Sequence, residues 1–208
     1  MNSVGTLSLM SKHKYGSAGT LTLVEISFIL ASSLVIAFNL DFPYTREVMG
    51  GKEVSFMNFM ITFVTAMFSI IPVRNASFGM SQDISDGTFM TFVQMEGKFK
   101  AFIYAYLMDV LYPISIFLVV GTLVLTLATL NYLWWAVESL TGYMFVANLS
   151  YTSSLVLRKT FRTFIGSVLS IFIYLAIIFL DLGSIALLAV IDVLLLSFLL
   201  YKFRCIEI

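Results

Sequence analysis

Four carboxylates, Glu25, Asp109, Glu138 and Asp192, stand inside long apolar runs. An acidic side chain at the centre of a membrane span costs on the order of 2.5–3.5 kcal/mol on insertion scales, so each position needs a physical reason. Glu25 lies about a turn from one end of its run, and Glu138 is similarly close to an end of its own, so both suit interfacial carboxylates that reach headgroups. Asp109 and Asp192 lie deeper, and no Lys or Arg within the runs is placed to pair with them. Two chemistries fit these two: hydrogen bonds between packed helices, or a role along a translocation path, for which all four acids are possible residues. Several other chemistries are excluded. A single His13 rules out a bis-histidine haem site and the usual zinc-hydrolase sets, and a single Cys205 rules out an internal disulfide or thiolate cluster, so no metal is expected. There is no Gly-x-Ser-Gly nucleophile, no His inside a span, and no Gly-x-x-x-x-Gly-Lys-Ser/Thr loop, so neither intramembrane proteolysis nor ATP hydrolysis by this chain is expected.

The elements that must position these acids follow from composition. Of 208 residues, 60% are hydrophobic and only 12% charged, against about 25% charged in soluble domains. Water could not solvate the surface that this composition leaves, and disorder is excluded by the same numbers. The expectation is an all-α polytopic membrane protein, a single transmembrane domain over residues 1–208. A span needs about 20 apolar residues. Six runs qualify, at about 21–40, 54–73, 101–125, 132–157, 161–180 and 185–201, with a break near 129–131 separating the third from the fourth. The fourth is the weakest, because Asn148, Ser150, Thr152, Ser153 and Ser154 lower its hydropathy.

Orientation follows from the basic residues, which cytoplasmic loops retain. With the N-terminus inside, ten of the 12 Lys and Arg fall on the cytoplasmic side and only Arg46 and Lys52 outside, and an even number of spans returns the C-terminus inside as well. A cell-membrane, multi-pass protein with both ends cytoplasmic is the consistent solution. The first apolar run is too long for a signal-peptide core and no small-x-small site follows it, so an uncleaved span is expected. Tyr132, Trp134 and Trp135 cluster as interface anchors do. Pro113 should kink the third span, while Gly121 and Gly142 allow close helix approach. The external connections are short, so the segment 74–100 should hold most of the information about function.

Within that segment Ser85 and Asp86 are helix starters and Gly97 is a helix stop. Phe89, Phe92, Val93 and Glu96 recur at i, i+3, i+4 and i+7, which predicts a short amphipathic helix at the cytoplasmic interface between spans two and three. Such a helix is either an ordinary connecting element or a docking element for a soluble partner.

Asp86-Gly87-Thr88, the apolar run Phe89 to Met95, Gly97-Lys98-Phe99-Lys100 and the long span after it resemble the permease subunits of ATP-binding cassette (ABC) type-2 transporters. The family's usual segment is Glu-x-Gly-Thr followed by a hydrophobic helix, Pro and a basic residue. Here Asp86 abuts Gly87, Asp83 is the upstream acid, and Met95-Glu96-Gly97 stands where Pro is usual. The basic loop Arg158 to Arg162 and the polar fourth span are also similar to the family. The resemblance implies an exporter whose docking residues are Asp83, Asp86, Gly87, Thr88, Phe89, Phe92, Val93 and Glu96. It further implies a separate nucleotide-binding ATPase subunit that binds ATP and Mg, and a second permease copy or homologue completing the pathway. No cofactor in this chain and no nucleic-acid partner are expected; the other partner is the lipid bilayer. Two alternatives remain open: a proton-coupled secondary transporter built on Asp109 and Asp192, and a non-transporting membrane subunit of a larger complex.

Overall fold

The computed structural model describes residues 3–16, 18–39, 47–49, 52–54, 56–128, 134–180 and 184–205. Arg46, Tyr132, most of the loop at 41–53 and the break at 129–131 lie outside these residues. The chain runs as α1 (Ser3–Tyr15), α2 (Gly19–Asn39), a two-stranded antiparallel hairpin of β1 (Glu47–Met49) and β2 (Lys52–Val54), then the long helix α3 (Met57–Ser85). There follow α4 (Thr88–Glu96), α5 (Lys98–Leu127), α6 (Trp134–Leu157), α7 (Thr160–Phe179) and α8 (Ile185–Cys205).

Five helices, α2, α3, α5, α7 and α8, are long and apolar enough to cross a membrane. Their outer faces carry Phe28, Ile29, Leu123, Phe172, Leu194 and Phe198 in the open, which suits lipid and not water. The sixth long helix, α6, has the length to span but a polar composition. It lies against α3, α7 and α8, and its polar residues face these neighbours: Thr65 bonds Ser139 (3.0 Å), and Ser150 bonds Ser170 (3.1 Å). A helix enclosed by other helices has no need of an apolar surface. Small residues let it approach closely. A Cβ at Gly121 of α5 would collide with the Trp135 indole, and one at Gly142 would lie 2.5 Å from the Tyr174 hydroxyl. Trp135 is therefore buried against α5, whereas Trp134 is exposed.

Two of the helices change pitch. In α3, Pro72 cannot donate a backbone bond, the helix turns at Ser69, and a π-helical segment follows at Asn75–Met80. In α5, the π segment is Leu107–Leu111, just before Pro113. The two π segments pack against each other.

The segment 74–100 differs from the predicted cytoplasmic loop. Residues 74–85 continue α3 as helix, and only Asp86 and Gly87 separate it from α4. Gly87 (φ 77°) and Gly97 (φ 83°) adopt left-handed backbone at the two ends of α4, which lets the chain double back between α3 and α5 without strain. At this same end of the bundle α1 packs on α4, Phe203 near the end of α8 meets Phe89 edge-on at 5.9 Å, and Ser81 bonds Thr163 of α7 (3.2 Å). The elements that carry ten of the 12 basic residues thus converge at one end.

Candidate functional site

Pro113 is the origin of the most developed polar site. It lacks the N–H that an α-helix would direct to the Asp109 carbonyl, and the Tyr112 N–H reaches back to Leu107 in π fashion. The carbonyls in this stretch are then taken by side chains from other helices. Tyr15 of α1 donates to the Met108 carbonyl (2.7 Å), Asn75 of α3 to that of Asp109 (2.9 Å), and Tyr143 of α6 to that of Val110 (3.0 Å). Asn75 also donates to the Tyr15 hydroxyl at 3.1 Å. Burial and the Asp109 carboxylate push the Tyr15 phenol well above its ordinary value, so it stays protonated as a donor.

The same turn of α5 aims the Asp109 side chain, which is wholly buried, at the end of α1. Lys14 donates to Asp109 Oδ2 at 2.5 Å, and its ammonium lies 3.9 Å from Asp83 Oδ2. Tyr151 of α6 donates to the same Asp109 oxygen. Oδ1 of Asp109 is buried without a hydrogen-bond partner among the described residues. A cavity of about 280 Å³ opens beside this pair, with Arg74, Gln82, Asp83 and Asp86 in its wall. The structure thereby overturns the expectation that no cation pairs with Asp109. Lys14 precedes the first span in sequence, but α1 folds onto the bundle and delivers it.

The other acids of the apolar runs lie apart from Asp109. Glu138 is buried among the helices and accepts from Thr62 at 3.3 Å. Asp192 of α8 lines a separate cavity of about 220 Å³ with Asn148, Met144 and Leu196. Glu25 is on the exposed face of α2. One thread links two of these sites. Asn148 accepts from Tyr106 (2.5 Å), whose ring stands at 5.4 Å, edge to face, from that of Tyr151, the residue bonded to Asp109.

The expected docking residues divide. Phe89 and Phe92 are buried in the chain's own core, under α1 and the end of α8, so the apolar face of α4 is not presented to a partner. Asp83 is buried beside Lys14. Asp86 and Gly87 are exposed, and Thr88, Val93 and Glu96 are half-buried. The outward surface of α4 is formed by Thr91, Gln94 and Met95. Lys14, Tyr15, Asn75 and Tyr151 were not singled out from sequence. Pro113 four residues after Asp109 was the available signal, since it leaves a buried carbonyl that some donor must satisfy.

Among the described residues no three His, Cys, Asp or Glu side chains are grouped to hold a metal ion. The fold and the site define a multi-pass helical membrane protein with a buried ion pair at the end where its basic residues gather. No family model, curated protein or solved structure matches the chain.

Proposed function

We propose that the chain is the membrane-spanning permease subunit of an ABC exporter, crossing the membrane six times with both termini cytoplasmic. In this reading α6 is the fourth of six spans, shielded from lipid by its neighbours. Energy comes from a separate ATPase subunit that binds ATP and Mg, and a second permease copy or homologue completes the pathway.

The observation that carries the reading is the setting of α4. Two left-handed glycines isolate it as an elbow between α3 and α5, the two helices whose π segments build the Lys14–Asp109 site. Its apolar face is fastened to the core while Asp86, Gly87, Thr91, Gln94 and Met95 face outward. A force applied to that surface passes into two spans together, which suits rocking of helices by a motor. The docking surface is thus the outward side of the elbow and not the Phe89/Phe92 side.

Co-purification tests this. The chain should be isolated with an ATPase carrying a Walker loop, and Thr91→Arg with Met95→Asp should abolish the association while the protein remains folded. Undiminished association in that double variant would remove the assignment.

The Lys14–Asp109 pair and the thread from Tyr151 through Tyr106 to Asn148, beside Asp192, favour one second reading: proton-coupled transport. It requires flux that follows a pH gradient without ATP and fails in Asp109→Asn. ATP-dependent flux indifferent to the gradient would exclude it.

A further inference from the structure

Arg74 of α3 stands where two cavities meet. One is the polar cavity of about 280 Å³, whose wall also holds Lys14, Asp83, Asp86 and Asp109. The other, of about 440 Å³, lies between α2 and α3; it shares Lys14 and Arg74 but is otherwise lined mainly by apolar side chains, among them Leu23, Ile26, Ile70 and Ile71. Lys14 is already committed to Asp109 and Asp83. Arg74 is exposed and, among the described residues, its side chain takes part in no hydrogen bond or ion pair. The second cavity is also lined by Gly19, the first residue of α2, so its Lys14–Arg74 end falls where the apolar helix begins and headgroups lie.

Each side of this junction selects for one part of an amphiphile. A free guanidinium at headgroup level matches a phosphodiester in the two-pronged geometry that Arg provides. The polar wall carries three carboxylates against two cations, which disfavours a purely anionic headgroup and favours one that brings its own cation. Asp86, exposed and in the same wall, accepts from an ammonium N–H, which a quaternary choline cannot offer. The apolar groove beyond Arg74 takes an acyl chain. We propose that the paired cavities bind one aminophospholipid, with its phosphate on Arg74, its primary ammonium against Asp86 and a chain along Ile26, Ile70 and Ile71. The site borders the proposed docking surface at Asp86, but lipid retention is read without the ATPase, so the two readings are tested separately.

Native mass spectrometry of the full-length protein, released from bilayers of equal phosphatidylethanolamine, phosphatidylglycerol and phosphatidylcholine, tests the site. One phosphatidylethanolamine should be retained in preference to the other two. Arg74→Gln, a change at an exposed side chain, should lower that retention by about tenfold, the loss expected for one charge-assisted hydrogen-bonding partner. Asp86→Asn should keep a bound lipid but erase the preference for ethanolamine over glycerol. Equal retention of the three lipids by the unaltered protein, or undiminished retention in Arg74→Gln, would overturn the proposal. So would displacement of the lipid by soluble phosphoethanolamine at equal concentration, because the apolar groove would then contribute nothing.

Discussion

Replacing Lys14 by Met separates the buried ion pair from its surroundings more cleanly than any other single change. The Asp109 side chain is 0% exposed and the Lys14 side chain 8% exposed. Lys14 is the cation bonded to Asp109, and without it Tyr151 is left as the donor to that carboxylate. Removing one partner of a buried pair costs about 3–5 kcal/mol, mostly from the charge left uncompensated. In a chain of this length that corresponds to a fall of about 10 °C in Tm. Asp109→Asn should cost less, because Lys14 retains Asp83 at 3.9 Å and the new amide still accepts from Tyr151. The double variant, with neither charge, should recover most of the loss from Lys14→Met. Thermal unfolding of the four proteins in one detergent gives the coupling directly. If Lys14→Met lies within about 0.5 kcal/mol of the parent, or the double variant is as unstable as Lys14→Met alone, the pair is not what fastens α1 to the bundle.

Three further outcomes follow from the packing. Asn75→Ala should destabilise by about 1–3 kcal/mol by orphaning the Asp109 carbonyl, and adding Pro113→Ala, which restores a backbone donor, should recover part of it in the same melts. Gly121→Ala and Gly142→Ala should each lower stability by roughly 1–3 kcal/mol through overlap with Trp135 and Tyr174, whereas Gly87→Ala meets nothing in space and acts only through its backbone conformation. Arg158, a non-glycine residue at φ 51° between α6 and α7, should gain about 1 kcal/mol on replacement by Gly, read as a rise in Tm.

Spans were legible wherever an apolar run was long and its ends were marked. The runs at 161–180 and 185–201 became Thr160–Phe179 and Ile185–Cys205, and 21–40 became Gly19–Asn39. The short helix ending at Gly97 was also legible from its apolar period and its stop residue. The end of the second apolar run at 73 did not mark the end of its helix, which runs to Ser85. Asn75, Ser77, Ser81 and Asp83 continue α3 inward, buried against other helices with partners such as Thr163 and Lys14. The helix α1 was missed because Ser8, Ser11, Lys12 and His13 interrupt any apolar stripe. The pairing of Lys14 with Asp109 spans 95 positions and depends on that missed helix, so no local pattern records it. The inward turn of Phe89 and Phe92 was hidden for the same reason: the amphipathic period shows that one face is apolar but not which surface covers it.

Photocrosslinking from two positions of α4 tests the proposed coupling elbow most directly. A photoreactive side chain in place of Thr91, on the outward surface, is predicted to capture an ATPase with a Walker loop, while one in place of Phe89 reacts only within the chain, at Phe203. Labelling of lipid alone from position 91 would contradict the account, as would capture of the ATPase from position 89.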